Sequence, residues 1–273
     1  VIDNLSEFDG GGLYLRQSRS RLSENVVSGN TAWNSGGGLY LKEGDALLAS
    51  NIISGNQTLY GDAGGLYLEG SDAVLTNTVL VDNQADESGG GLYVEDSLPT
   101  MVHTTLARNS ASDGSGVHVA SGHARLTNAI VVSHGVGISV TATGKATLDG
   151  VLWYGNAFAN AGGEPITVTH AFTASPAFAA DGFHLTETSG AIDRGVEAGV
   201  STDIDGEPRL GGPDLGADEW YGVDLAPSRK MVSPEQAQVD DVLTYTVVLS
   251  NGGGVSATHT TLYDPLPDDV SYV

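Results

Sequence analysis

The residues of this chain that could do chemistry fall into three sets. His134, in the glycine-rich phrase Ser133-His134-Gly135-Val136-Gly137-Ile138-Ser139, could move a proton as a general base if acidic partners stood beside it. The phrase Asp203-Ile204-Asp205-Gly206-Glu207 sets carboxylates at alternate positions, a pattern compatible with calcium. Tyr14, Tyr40, Tyr67 and Tyr93 recur in one short phrase and could offer aromatic faces to a sugar or a protein.

Each set also has a plainer reading. His134 stands where neighbouring phrases carry an asparagine, and no paired-aspartate phrase lies at a matching position before it, so no residue is assigned to catalysis. A lyase would need a basic residue facing a carboxylate-rich cleft, and Lys42, Lys145 and Arg125 show no such company in the sequence. An EF-hand loop starting at Asp203 would need further ligands and a glutamate at its twelfth position, where Asp214 stands. Calcium is therefore supported by no specific motif, and the expectation is no metal and no cofactor. Asp9, Ser35, Asp62, Ser88 and Asp113, each three residues before a recurring glycine, suit turn capping.

The elements that position these residues are repeats. Gly11-Gly12-Leu13-Tyr14-Leu15 returns as Gly37-Gly38-Leu39-Tyr40-Leu41, Gly64-Gly65-Leu66-Tyr67-Leu68 and Gly90-Gly91-Leu92-Tyr93-Val94, then weakens to Gly116-Val117-His118-Val119. The second glycines step by 26, 27, 26 and 25 residues, a period that marks a stacked repeat. Eighteen residues after each comes Asn30, Asn56, Asn83, Asn109 or His134, closing a short apolar run. The runs are short, rich in Val, Ile, Leu, Thr and Tyr and broken by Gly, Asn, Ser and Asp, so each unit holds strands and turns. Three short strands per coil, each pairing in parallel with the next coil, make a right-handed parallel β-helix.

In that register Leu22, Leu48, Leu75, Met101, Leu126 and Leu148 form one inward ladder. The asparagines form a column at a turn, where Asn tolerates left-handed backbone and stacked amides can bond from coil to coil. The glycines serve a corner that needs positive φ or close backbone approach. If the leucines flanking each tyrosine point inward, alternation sends the rings outward as an aromatic stripe, and stacked tyrosines are foremost cross-strand packing.

The Gly-Gly-Leu-Tyr and Val/Ile/Leu-x-x-Asn pair resembles the repeats of chlamydial-type polymorphic membrane proteins and related bacterial surface β-helices, over residues 1–156. It departs from them where that family favours Phe and this chain has Val, Ile or Leu. The resemblance implies a β-helix at a cell surface and says little of activity. The phrase around His134 superficially resembles the Gly-His-Gly of polygalacturonases. After Asn156 the period dissolves. Phe183-His184-Leu185, Ser189-Gly190-Ala191-Ile192-Asp193-Arg194-Gly195, Thr202 to Arg209 and Asp214 to Glu219 resemble the closing segment called a choice-of-anchor domain, which suits a cap on the last open edge. From Val223, Asp224-Leu225, Val232-Ser233-Pro234, Asp241 to Asn251 and Asp264-Pro265-Leu266-Pro267 resemble the DUF11 type of immunoglobulin-like domain.

The expected architecture is all-β: parallel β-helix coils over 1–160, terminal coils and cap over 161–222, and part of an immunoglobulin-like sandwich over 223–273. Val1-Ile2-Asp3-Asn4 already reads like Leu80-Val81-Asp82-Asn83, so the repeat is running at residue 1, and that residue is not expected to be the natural start. Val1 and Leu5 at one end and Leu243, Tyr245, Val247 and Leu249 in a half-buried strand are candidate assembly edges.

A net charge of -23, from 34 acidic and 11 basic residues, argues against nucleic acid or an anionic membrane surface. Cysteine is absent, which in an exported protein points to a prokaryotic exterior, and no apolar run reaches transmembrane length. The functional expectation is an extracellular structural or adhesive cell-surface protein, not an enzyme. Its partners are itself, as a head-to-tail filament subunit completed by strand exchange, or other surface proteins or glycans. The alternative is a carbohydrate-binding or pectin lyase-like carbohydrate-active β-helix.

Overall fold

The structure is a computed structural model that describes residues 1–222, 228–233, 238, 241–250 and 260–263. It divides into one unit over Val1–Glu219 and a second over Trp220–Val273.

Each repeat phrase becomes one strand per coil. Leu13–Arg16, Leu39–Lys42, Leu66–Glu69 and Leu92–Glu95 continue through Ser115–Val119, Val136–Val140 and Ala159–Gly162 as a seven-stranded parallel sheet. Its register sets like on like: Leu66 pairs with Leu39 and Leu92, and Tyr67 with Tyr40 and Tyr93. An eleven-stranded sheet forms the second wall, with two short strands per coil, such as Leu47–Ala49 and Ile52–Ser54, merging into Gly122–Val132 and Gly144–Tyr154. Leu5–Ser6, Thr31–Ala32 and Gln57–Thr58 make a third, narrow wall.

The apolar ladder lies inside as its spacing requires. Leu22, Leu48, Leu75, Met101, Leu126 and Leu148 pair rung to rung, and all but the half-buried Leu22 are fully buried. Removing each such side chain from water contributes roughly 1.5–3 kcal/mol, so the stack is held mainly by a column repeated coil after coil.

The corners refine the expectation for asparagine. Asn30, Asn56, Asn83 and Asn109 do not take left-handed backbone; the residue before each does, at Gly29, Gly55, Asp82 and Arg108, with φ of 65°, 61°, 58° and 54°. The asparagine side chain can then turn inward along the stack. Gly38 is needed for close approach and not for positive φ: a Cβ there would sit 2.6 Å from the Gly65 carbonyl oxygen and 3.0 Å from Asn56 Nδ2.

Past the repeats a parallel strand continues into the terminal segment, where Ile166–Thr173 pairs with Gly144–Tyr154, but the layout of the cap differs from the expectation. The segment from 174 to 219 is not a plug on the end of the stack; it bonds to the flank. Asn77 Nδ2 donates to Thr202 O at 2.7 Å, Val196 N to Asn128 Oδ1 at 2.7 Å, Ala217 N to Thr105 Oγ1 at 3.0 Å and Arg108 Nη1 to Gly182 O at 3.0 Å. It is a lateral strap, and the final strand Ile166–Thr173 stays exposed at most of its positions.

In the second unit Arg229–Ser233 pairs antiparallel with Thr244–Val248. Leu243, Tyr245 and Val247 are half-buried as the alternation predicts, whereas Leu249 is 53% exposed, just past the last paired residue. The expectations resting on Asp224-Leu225, Pro234, Asn251 and Asp264 to Pro267 lie outside the described residues. At the other end the Val1 amino group donates to Val26 O at 2.8 Å and Leu5 pairs with Thr31, with both side chains exposed.

Candidate functional site

The tyrosine phrase builds a column of rings outside the apolar core. Ring centroids lie 5.2 Å apart for Tyr14 and Tyr40, 4.6 Å for Tyr40 and Tyr67 and 4.8 Å for Tyr67 and Tyr93. His118 adds a fifth ring 5.1 Å beyond Tyr93, because Gly116-Val117-His118-Val119 keeps the register. The rings pack on one another across strands, which leaves no open aromatic strip for a ligand over the inner rungs: Tyr40 and Tyr67 are only 7% exposed, since each is sandwiched between its neighbours, while Tyr14 at the column's end is 44% exposed.

Carboxylates line this column. Tyr40 Oη donates to Glu69 at 2.5 Å and Tyr67 Oη to Glu95 at 2.7 Å. Lys42 meets Glu69 of the next coil at 2.6 Å. Burial, and then these carboxylates, raise the phenol pKa values of Tyr40 and Tyr67, and burial with nearby acids pushes Tyr93 up to about 12. The acidic and hydroxyl column three residues before each glycine caps turns between coils: Asp9 Oδ1 accepts from Ser35 N and Asp62 Oδ1 from Ser88 N. Burial pushes the Asp62 carboxyl up to about 6.

Sequence reasoning missed the set made by Asp113, His118 and Ser139. His118 Nδ1 lies 3.0 Å from Asp113 Oδ2 and 2.8 Å from Ser139 Oγ. A nucleophilic relay needs the acid and the serine on opposite ring nitrogens. Here both crowd one nitrogen, so the set positions the ring and does not activate the hydroxyl.

His134 sits in the asparagine ladder. Asn30 Nδ2 donates to Asn56 Oδ1 at 2.8 Å, Asn56 to Asn83 at 3.0 Å and Asn83 to Asn109 at 3.0 Å, all buried. Asn109 Nδ2 then meets His134 Nε2 at 3.3 Å, and His134 Nδ1 meets Asn156 Oδ1 at 3.2 Å. Burial holds its pKa down to about 4. A second rung unnoticed in sequence joins Asn25 Nδ2 to Asn51 Oδ1 at 3.0 Å, although its spacing of 26 was there to be read.

The strap carries the remaining polar chemistry. Arg209 and Glu219 form an ion pair at 2.9 Å with side chains only 3% and 4% exposed, and Arg209 also donates to Asn77 Oδ1 at 3.1 Å. Beside it a cavity of about 330 Å³ is lined by His103, Glu197, Ser201 and Arg209 among others. Burial, with the Arg209 charge, holds buried His103 down to about 3, so it is neutral there.

The calcium-like phrase is split by the fold. Asp203 is buried and spends its oxygens on the backbone N–H groups of Asp205, Glu207 and Glu219. Asp205 points outward to His184 Nε2 at 2.8 Å, and Asp218 lies close by, all three ligand atoms within 4.8 Å of one another. His184, Asp205 and Asp218 fall in three separate phrases of the closing segment, and no local spacing signals that they meet, because His184 lies 21 residues before Asp205.

The family described as the right handed beta helix region matches residues 2–168, the span of the stacked coils. No curated protein and no solved structure matches the chain.

Proposed function

This chain belongs to the right-handed β-helix family, and on that premise we propose that it is an extracellular structural or adhesive protein of a prokaryotic cell surface. The observation that carries this reading is the closure of the repeat columns onto themselves. The asparagine ladder with His134 and the ring column with His118 run from coil to coil, and Asp9 and Asp62 accept from the next coil. Such columns make a stiff shaft. Its partners on this reading are other surface proteins, glycans or further copies of the chain. Head-to-tail assembly draws on the strand Thr244–Val248, which among the described strands pairs only with Arg229–Ser233.

The test is turnover. Purified protein incubated with acidic polysaccharides, with and without calcium, is expected to release no new ends or unsaturated products. Robust cleavage that survives His134→Ala and falls with carboxylate changes overturns the reading. Assembly is tested by light scattering across concentration: growth that stops on Tyr245→Pro supports strand exchange, and a strictly monomeric species removes the filament.

A second reading rests on the ring column. Tyr14 presents a half-exposed ring at the head of the stack, with Glu43 and Arg16 in an ion pair at 3.5 Å on neighbouring coils, a combination suited to stacking on a sugar. Glycan binding that is lost in Tyr14→Ala favours it.

A further inference from the structure

His184, Asp205 and Asp218 come from three separate turns of the strap and converge on one point. Asp181 fixes the ring. Its Oδ1 accepts the backbone N–H groups of Phe183 and His184 at 3.1 Å each, and its Oδ2 takes His184 Nδ1–H at 2.5 Å. Nε2 faces the carboxylate of Asp205 at 2.8 Å, a spacing bridged in the metal-free protein by a proton on Nε2, whose place a bound ion would take.

Asp218 completes the site from below. It is buried, and one of its oxygens, Oδ2, is anchored by Leu185 N at 2.6 Å, so the carboxylate cannot swing away to solvent. The arrangement has the parts of a metal centre: one imidazole nitrogen, two carboxylates, and a further carboxylate behind the imidazole that orients it. Asp205 and His184 are open to solvent on one side, giving an ion a path in and room for water as a fourth ligand.

We infer that His184, Asp205 and Asp218 form a binding site for a divalent first-row transition metal of the zinc class, with Asp181 as the positioning residue that aims His184. The mixed nitrogen and oxygen set favours zinc over calcium, which prefers six to eight oxygens. The bound ion cross-links the turns at 181–185, 203–207 and 217–219, so it locks the strap in its folded form on the solenoid flank. This site stands apart from the surface-protein reading and survives if that reading fails.

The experiment titrates the metal-stripped protein with Zn²⁺ and, separately, with Co²⁺ near pH 8. One equivalent should bind, with visible cobalt bands of a low-coordinate nitrogen and oxygen site. His184→Gln and Asp205→Asn should each weaken binding at least tenfold, and Asp181→Asn roughly tenfold through the lost orientation of the ring. His170→Gln, at a separate exposed histidine–aspartate pair, should change nothing. Zn²⁺ should also raise Tm in the parent and leave it unmoved in Asp205→Asn, whose exposed position keeps the fold intact by circular dichroism. Three results overturn the site: no saturable binding of Zn²⁺ or Co²⁺, equal binding by His184→Gln, or equal binding of Ca²⁺ and Zn²⁺, which marks a general acidic surface.

Discussion

Asn109 and His134 are consecutive rungs of one buried ladder, joined by a 3.3 Å contact from Asn109 Nδ2 to His134 Nε2. Asn109 Nδ2 also donates to Leu80 O at 2.8 Å, so it can only be the donor, and His134 Nε2 must accept. The histidine thus reproduces what an asparagine does here, accepting from the rung before through one atom and donating to Asn156 through another. A proton on Nε2 would set two donors against each other.

Acid should therefore weaken the fold through His134. Its folded pKa of about 4 lies below the ordinary 6.5, so the unfolded chain binds the proton first. The stability held by the neutral ring is fully present above about pH 6.5 and is lost as the pH falls to about 4, on the order of 3 kcal/mol. Asp62 and Asp218, raised to about 6, act in the opposite sense, gaining stability as they protonate. The diagnostic is the difference from His134→Asn, measured by urea unfolding. The variant should match the parent within about 1 kcal/mol at pH 8 and exceed it by pH 4. Parallel pH profiles would show that the ring is not held neutral.

Leu48 is a middle rung of the apolar ladder, between Leu22 and Leu75. Leu48→Ala should cost about 2–5 kcal/mol, and Leu48→Asp should prevent the coils from stacking, since an unpaired buried carboxylate is costly. Circular dichroism melts check both. A Tm for Leu48→Asp within a degree or two of the parent would place that side chain outside the core.

Two glycines separate the two uses of glycine. Gly55 has φ of 61° and open space for 4 Å around the point where a Cβ would stand, so Gly55→Ala should cost only about 1–2 kcal/mol of left-handed strain. Gly38→Ala drives a methyl against the Gly65 carbonyl oxygen and Asn56 Nδ2, and should cost several-fold more because backbone must move. Denaturant midpoints compare them, and equal losses would contradict the close approach.

The strap should come free when its ion pair is broken. Arg209→Met leaves Glu219 buried without its partner and removes the bond to Asn77, a loss of about 3–5 kcal/mol. Limited proteolysis should then cut within residues 174–219 while the strand signal in circular dichroism persists. Unchanged resistance to protease would show that the strap is held by other contacts.

The repeating half of this protein was legible in its sequence. A solenoid coil touches only its neighbours, so a residue's environment is set by what stands one period away. The spacing of 26 residues between Asn30 and Asn56, or between Tyr67 and Tyr93, therefore carries the register directly. Even the place of His134 in the ladder and of His118 in the ring column follows from counting. The tertiary structure alone decided the rest. Arg209 meets Asn77 across 132 residues, and His184 meets Asp205 through a turn of the strap, and neither contact belongs to any period. It also decided that the rings close on one another. Alternation tells which way a tyrosine points, but only the stacking distance between coils determines whether its faces remain open or are covered by the next ring.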